Sequence, residues 1–566
     1  MVMELLLFRY LTGIPMKFLK HIFHYSEVLI LLSNCSTPSS SLTNNIPWQP
    51  DLGNGFYKNP IIHADYSDPD AIRVDDTYYM TSSSFNNAPG LPLLKSKDMV
   101  NWELVGHALA QQIPIDVFAT PQHGKGVWAP CLRFHDNKFW IFYPDPDFGI
   151  YVITAEKFTG PWSAPHLLLG GKGIIDPTPL WDDDGQAYLL HAWAKSRAGI
   201  NNLLTLRRMS PDAKTILDVE GKVIIDGNKI PNYKTLEGPK FYKHNNYYYV
   251  FAPAGGVETG WQSVFRSKTI AGPYEDKIVM AQGKSPINGP HQGAWVQAQD
   301  GSDWFFHFQD KHAYGRIVHL QPMHWLNDWP VIGDDKNNTG TGEPVLQHAK
   351  PVAGKFELKA PATSDEFSSA NLGFQWQWNA NWKADWFSLS ARKNYLRLFA
   401  INDESQLQEK SGQKKNLWDV PSLLLQKLPA EKFVVTTEFD VSNLLQVGDT
   451  AGLIMYGYDY QWIGVKNTVQ GRELILVNCE KTESNCEEKT LASVALHQTK
   501  VVLRMTTREE AKTQFSYSLD GRKFIDTGAV FTASVGRWVG AQMGLFSIGS
   551  TNTSYVDVDY FRVSAP

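Results

Sequence analysis

The sequence predicts an all-β protein with two domains, a five-bladed β-propeller followed by a β-sandwich. One strand–turn–strand unit recurs between about residues 59 and 335, and a second short element follows three of the copies. After about residue 335 this pattern gives way to alternating strands over roughly 200 residues, as in a sandwich. These observations place the propeller at 55–335, a polar linker at 336–364 and the sandwich at 365–566.

The recurring unit is an apolar strand, a tight polar turn and an aromatic strand. Its turns include Asp-Gly and Asn-Asn, which are typical hairpin connections. A spacing of about 45 to 65 residues between copies indicates a propeller of about five blades. The five copies are 72–80, 132–140, 180–188, 241–249 and 296–304.

The second element combines a small residue, a lysine, a turn and an aromatic residue that can pack under the next strand. It occurs at 96–103, 155–162 and 267–274. A pair of β-sandwiches would explain the strands but not this shared element, so the propeller is the better interpretation.

Composition and charge restrict the class of protein. The chain has 566 residues, 13% of them aromatic and 20% charged, as expected for folded domains with aromatic-lined surfaces. A net charge of -5, with no long Lys/Arg run, argues against nucleic acid as a partner. The four cysteines form no CxxC motif. Cys479 and Cys486 flank a polar segment, either as a hairpin-closing disulfide or as two free thiols.

Residues 1–47 resemble a bacterial export leader with a polar tether. Lys17 and Lys20 precede the apolar run 28–32, which is too short to span a membrane. The stretch 32–35 resembles a lipobox, with Cys35 as the lipid-bearing residue. We therefore expect an exported protein (periplasmic, extracellular or an outer-surface lipoprotein) whose membrane contact is made only through a lipid anchor at Cys35.

Three carboxylates occupy equivalent places in the repeat. Asp68, Asp176 and Glu237 each precede a hairpin and stand beside Pro or Gly. Pro69 is expected to bias Asp68 towards an extended backbone. Each carboxylate alone is more readily a turn cap than a catalytic group, but the first strands of propeller blades line one funnel. Three carboxylates meeting there should raise the pKa of at least one of them.

Several short motifs occur in a fixed order along the chain: Asn59-Pro60, 66–70, 96–98 with Trp102, 127–130, Asp176-Pro177, 237–239 and 314–316. In these motifs the sequence resembles glycoside hydrolase family 43, in particular its β-xylosidase and α-L-arabinofuranosidase members. By this resemblance the tail is a lectin-like (concanavalin A-like) domain, which either completes a wall of the active site or binds polysaccharide.

The resemblance also implies roles for individual residues. Asp68 would be the general base and Glu237 the general acid, with Asp176 raising the pKa of the acid and orienting it. Arg316 would contact the sugar in the cleavage subsite. Trp128, Ala129 and Ile175 would form other parts of the substrate site.

The predicted reaction is inverting hydrolysis, in which an ionised base activates water and a protonated acid assists the leaving group. The expected substrates are xylan-derived or arabinoxylan-type oligosaccharides that lose xylosyl or arabinofuranosyl units, with no cofactor required. The alternatives are a non-catalytic glycan-binding propeller or another pentosan hydrolase such as an arabinanase. A retaining fructosidase would need a first strand unlike 65–70.

Three further residues are open candidates. By the family resemblance, His291 would hold water around a structural calcium ion at the propeller axis, although a hydrogen-bonded core histidine fits as well. Two tryptophans, Trp193 and Trp261, are candidate stacking surfaces for sugars, as Trp128 is. Core packing is the alternative for all three.

Overall fold

The computed structural model describes residues 46–401, 416–484, 486–551 and 553–566. Nearly all of the leader, including Cys35, lies outside these ranges. Export and lipidation therefore stay predictions. Within the described part of the chain, no helix is both long and apolar enough to cross a membrane.

The first domain is a ring of five four-stranded antiparallel sheets, which confirms the predicted propeller. Each blade uses four consecutive strands. Blade 1 consists of β2–β5 (Asp70–Val74, Thr77–Thr81, Gly90–Ser96, Trp102–Leu109), and blade 2 of β6–β9 (Cys131–His135, Lys138–Asp145, Gly149–Ala155, His166–Gly170). Blade 3 consists of β10–β13 (Ile174–Trp181, Ala187–Trp193, Leu203–Met209, Lys222–Asp226), and blade 4 of β14–β17 (Lys240–His244, Tyr247–Ala254, Trp261–Ser267, Glu275–Met280). Blade 5 consists of β18–β21 (His291–Gln297, Asp303–Asp310, Arg316–Leu326, Trp329–Ile332).

The five predicted hairpins are the first two strands of the five blades. Their turns use residues that tolerate a positive φ, such as Asp75, Asn137, Gly185 and Asn245. The first strand of every blade therefore starts next to the axis, and this position brings distant parts of the sequence together.

No blade combines strands from the two ends of the propeller domain. The ring is therefore closed by packing of blade 5 against blade 1 and not by a shared sheet. Asn59 fixes this joint: its amide nitrogen donates to the carbonyl of Leu320, and its amide oxygen accepts from the backbone N–H of the same residue, both at 2.8 Å. β1 (Phe56–Lys58) pairs with β22 (Gln347–Ala349). The segment 336–364, predicted as a linker, thus contributes a strand.

The second domain packs two seven-stranded sheets face to face, confirming the sandwich. In chain order, one sheet contains β23 (Gln377–Trp378), β26 (Leu424–Lys427), β28 (Thr450–Tyr456), β29 (Tyr460–Thr468), β30 (Gly471–Cys479), β31 (Lys489–Ala495) and β35 (Gln542–Ile548). The other contains β24 (Phe387–Ser388), β25 (Leu396–Phe399), β27 (Phe433–Asp440), β32 (Lys500–Arg508), β33 (Lys512–Ser518), β34 (Ile525–Thr532) and β36 (Tyr555–Ser564).

Short helical segments lie between strands in the described residues. One α-helical turn, α1, spans Lys195–Ala198, and the 3-10 turns are Val117–Ala119, Gly227–Lys229, His312–Tyr314, Ala384–Trp386, Leu417–Asp419, Thr482–Ser484 and Glu509–Ala511. Cys479 and Cys486 are joined by a disulfide, which decides between the two alternatives left open by the sequence.

The two domains share a packed interface close to the start of β20. Tyr314, from the propeller, is part of the apolar core of the sandwich. Its hydroxyl donates to the carbonyl of Glu431 at 2.9 Å and accepts from the backbone N–H of Ala511 at 2.8 Å. Arg316 follows two residues later, so the sandwich helps to fix the position of this arginine.

Candidate active site

The three predicted carboxylates meet in one cavity of about 530 Å³, where the first strands of the blades begin. Seven residues singled out from the sequence line it: Asp68, Trp128, Ala129, Ile175, Asp176, Glu237 and Arg316. The remaining lining residues are Phe85, Val257, Gln292 and Trp538. The repeat position therefore predicted the convergence of carboxylates from three blades.

Asp68 lies just before β2 and is 5% exposed. Its Oδ2 accepts hydrogen bonds from the hydroxyls of Ser67 at 2.7 Å and Ser83 at 2.5 Å. The expectation of an extended backbone was wrong, because Asp68 has φ 55°. Aspartate tolerates this left-handed conformation when its side chain is bonded locally, as here to Ser67.

Arg316 opens β20 and points its guanidinium at the base candidate. Its Nη1 donates to Ser67 Oγ at 2.9 Å and lies 3.5 Å from Asp68 Oδ1. Its Nε is 3.9 Å from Asp310 Oδ2. The arginine is thus held between two carboxylates with part of its donor fork free for a ligand oxygen.

Asp176 and Glu237 form the other side of the site. Burial raises the pKa of Glu237 to about 8, and the charges of Asp176 and Asp68 act in the same direction. The Glu237 side chain keeps 28% exposure where it lines the cavity. Burial, reinforced by Asp68, also raises the pKa of Asp176, although a hydrogen bond from the Gly238 N–H opposes this. The pair therefore retains a proton near neutral pH.

Gly238 sets the distance between Asp176 and the chain that carries Glu237. Its N–H donates to Asp176 Oδ2 at 2.8 Å. It has φ +61°, and a Cβ there would lie 2.3 Å from Cγ of Gln292. Only glycine lets the backbone come this close, which explains the Glu-Gly-Pro sequence after the acid candidate.

His291 lies beneath Glu237, with Nε2 3.7 Å from Oε1 of the carboxylate. The ring is fully buried, and burial lowers its pKa to about 3. Neither ring nitrogen has a hydrogen-bond partner in the part of the chain that the structure describes. Within the described ranges, no three His, Cys, Asp or Glu side chains converge as a metal site would require. A water-held calcium ion beside His291 stays a prediction.

The three candidate tryptophans differ in position. Trp128 lines the cavity and makes an edge-to-face contact with Trp538 of the sandwich, with ring centroids 6.2 Å apart. For Trp193 and Trp261 the structure favours the alternative, that they are packing residues. Their indole N–H groups bond internally, to Thr205 and Ser263, and neither residue lines the cavity.

Trp538 and Gln292 are site residues that the sequence reasoning missed. Gln292 directly follows His291, so its place at the head of the fifth blade was a usable signal. Trp538 lies on a sandwich loop, and no local pattern marks it as part of a site in the other domain.

Asp65 and Asp70, the neighbours of Asp68, are both buried. Asp70 Oδ2 accepts from Arg133 Nη1 at 3.1 Å and lies 3.5 Å from Lys240 Nζ. This network ties blades 1, 2 and 4 together beneath the cavity. Asp65 bonds to the backbone of both domains, as discussed below.

A five-bladed propeller with acidic side chains around an axial pocket, completed by a lectin-like sandwich, defines the class of propeller glycosidases. The chain belongs to glycosyl hydrolases family 43, whose model matches residues 57–330. The beta xylosidase C-terminal concanavalin A-like domain matches residues 364–564. The protein is accordingly a glycoside hydrolase.

Individual proteins of this family resemble the chain over most of its length. A putative beta-xylosidase of Xylanibacter ruminicola is 37% identical over 496 residues, covering 87% of this chain and 86% of that protein. A non-reducing end alpha-L-arabinofuranosidase of Bacteroides ovatus is 28% identical, covering 90% and 95%. In fold, the chain is similar to the solved xylan beta-1,4-xylosidase of Bacillus halodurans, with TM-score 0.77, 24% identity and coverage of 90% and 99%.

Proposed function

We propose that this hydrolase removes xylosyl or arabinofuranosyl units from xylan-derived oligosaccharides with inversion at the anomeric carbon. Asp68 serves as general base, Glu237 as general acid and Asp176 as the residue that keeps Glu237 protonated. The substrate class rests on the family and on relatives named beta-xylosidase and alpha-L-arabinofuranosidase.

The observation that carries the proposal is the unequal environment of the carboxylates in one cavity. Glu237 has a raised pKa and therefore begins protonated at neutral pH, as a general acid must. Asp68 is oriented by two serine hydroxyls and faces Arg316. One carboxylate is thus suited to donate a proton, and the other is oriented to accept one.

The reaction follows from these positions. Asp68 takes a proton from water while the water oxygen attacks the anomeric carbon from the face opposite the leaving group. The glycosidic C–O bond breaks, and Glu237 gives its proton to the departing oxygen. The Arg316 guanidinium holds a sugar oxygen, and Trp128 and Trp538 form apolar walls for the sugar ring.

Proton NMR of the first product formed tests the mechanism. Hydrolysis of a β-xyloside should release α-xylose before mutarotation, because one displacement inverts the anomeric carbon. Initial release of β-xylose would overturn the inverting scheme while leaving the glycosidase assignment intact.

A substrate panel tests specificity. Rates on nitrophenyl β-xyloside, nitrophenyl α-arabinofuranoside, xylobiose and linear arabinan separate xylosidase, arabinofuranosidase and arabinanase activities. We expect activity on at least one of the first two and none on linear arabinan. Exclusive activity on arabinan would favour the arabinanase alternative.

A further inference from the structure

A second cavity, of about 620 Å³, lies between the two domains and shares no lining residue with the active site. On the propeller side its lining includes His63, Tyr66 and His107. Gln426 and Lys427, on β26, line it from the sandwich side. The proposed reaction uses none of these side chains.

Buried polar groups in this cavity lack hydrogen-bond partners. Both ring nitrogens of His63 are without a hydrogen-bond partner among the residues that the structure describes, and the residue is 3% exposed. Both amide atoms of Gln426, which is 2% exposed, likewise have no hydrogen-bond partner in the described part of the chain. Leaving such groups unsatisfied is unfavourable, and native proteins almost always pair them with protein, water or ligand.

The charge of the cavity is positive. Lys427 is the charged side chain among the lining residues, and its Nζ lies 5.3 Å from the ring centroid of Tyr66. No hydrogen bond or ion pair is made by this amine within the described residues. Burial lowers its pKa, although Asp65 opposes that effect. The residue is half-buried, and among the described residues no carboxylate lies within ion-pair distance of the amine, so an anion entering the cavity would be stabilised.

The two histidines add hydrogen-bond donors without adding charge. Burial lowers the pKa of His63 to about 3, helped by Lys311, and lowers that of His107 to about 3, helped by Lys427. Each neutral imidazole carries one N–H and one bare nitrogen. The cavity therefore offers an amine, a carboxamide N–H₂ and imidazole N–H groups.

We propose that this interdomain cavity binds a small organic carboxylate. One carboxylate oxygen would accept from Lys427 Nζ and the other from the Gln426 amide or the His63 ring, since a carboxylate has lone pairs for several donors. The organic part would contact Trp48 and Phe374, which also line the cavity. An acid as small as acetate has the oxygens needed for these contacts, and a hexuronate presents the same carboxylate on a sugar ring.

Binding there would join the domains, because the donors come from both. A ligand that binds the native state but not the unfolded chain raises thermal stability in proportion to the logarithm of its concentration. The site is thus a stabilising or regulatory site, and its existence does not depend on the proposed substrate specificity.

Calorimetric titration of the unmodified protein tests the proposal directly. We expect acetate or glucuronate to bind with one site per chain at constant ionic strength, and neutral xylose or chloride not to bind there. Acetate alone would indicate a free small acid, and preference for glucuronate would indicate the acidic substituent of a polysaccharide. No saturable binding of either acid would overturn the proposal.

Two lysine variants locate the binding. Lys427→Met should weaken carboxylate binding about tenfold or more and remove the rise in melting temperature. Lys432→Met, a matched control, removes an exposed sandwich lysine paired with Glu509 and should change neither. Gln426→Leu, expected to weaken binding less, provides an independent variant if Lys427→Met does not fold.

An active-site variant separates the cavity from the catalytic pocket. Arg316→Ala should retain carboxylate binding, because Arg316 does not line this cavity. Loss of binding in Arg316→Ala, together with unchanged binding in Lys427→Met, would assign the acid to the catalytic pocket and overturn the proposal.

Discussion

Asp65 connects the two domains through Gly540, whose backbone N–H donates to Asp65 Oδ2 at 2.9 Å across 475 positions of sequence. The other oxygen of the same carboxylate accepts from the backbone N–H of Arg316 at 2.9 Å. Gly540 lies two residues after Trp538, which lines the active-site cavity. One buried carboxylate therefore positions both an arginine and a tryptophan of the site.

Asp65→Asn should lower both activity and stability. An amide retains one acceptor but turns an N–H₂ group towards one of the two backbone donors, which leaves that donor unsatisfied. We expect the free energy of unfolding to fall by about 1–3 kcal/mol. The value of kcat/KM should fall by a larger factor than the fraction of folded protein, which is measured by fluorescence. Denaturant unfolding and steady-state kinetics measure the two effects.

Asp183→Asn is the control for this change, since the Asp183 side chain is 87% exposed in a turn. It should alter stability by less than about 0.5 kcal/mol. Equal effects of the two substitutions would show that the Asp65 bonds do not hold the site.

Glu237→Gln and Asp68→Asn should respond differently to the leaving group. A nitrophenolate departs without a proton, whereas the alcohol of xylobiose needs one. Glu237→Gln should therefore lose about 10²–10⁴-fold on xylobiose and much less on a nitrophenyl glycoside. Asp68→Asn should lose activity on both, because water activation is common to both substrates. The reverse pattern would exchange the two assigned roles.

The pH dependence of kcat/KM should report the proton on Glu237. A general acid is active when protonated, so activity should fall as pH rises through the raised pKa, about 8. Asp176→Asn removes one of the charges that raise this pKa, and the alkaline limb should move to lower pH. An alkaline limb that stays in place would show that Asp176 does not raise the pKa of Glu237.

The carboxylates were predictable because their signals are local and repeated. Asp68, Asp176 and Glu237 each stand at the same place relative to a hairpin, and a propeller brings those places to its axis. The hairpin turns also carry residues suited to them. Sequence alone was therefore sufficient for the fold class and for the meeting of the three carboxylates in one cavity, while their catalytic roles stay predictions.

The remaining parts depend on tertiary context. Trp538 enters the site only because the sandwich packs against blade 5 around Tyr314, a contact between residues far apart in sequence. The positive φ of Asp68 depends on bonds to Ser67 and Ser83, which outweigh the steric preference that Pro69 imposes. Packing of distant segments decides both features, and a linear pattern does not show it.

Trp538→Ala should weaken substrate binding while the propeller chemistry persists. The indole forms a wall of the cavity and contacts Trp128, so its removal exposes the bound sugar to water. We expect about a tenfold fall in kcat/KM, mainly through KM. Val469→Ala, at a 79% exposed sandwich position, is the control and should behave as the unmodified protein. An unchanged KM in Trp538→Ala would limit the sandwich to a structural role.

Gly238→Ala should disrupt the acid side of the site more than backbone strain alone explains. The residue has φ +61°, and the new Cβ would meet the Gln292 side chain at 2.3 Å. Relief of this overlap must move the N–H that donates to Asp176, so kcat should fall together with stability. Gly185→Ala is matched for strain, with φ +80° and nothing within 4 Å of its added Cβ. This variant should lose about 1 kcal/mol of stability and keep full activity. Comparable kcat values for the two variants would show that the closeness of Gly238 to Gln292 and Asp176 is not needed for catalysis.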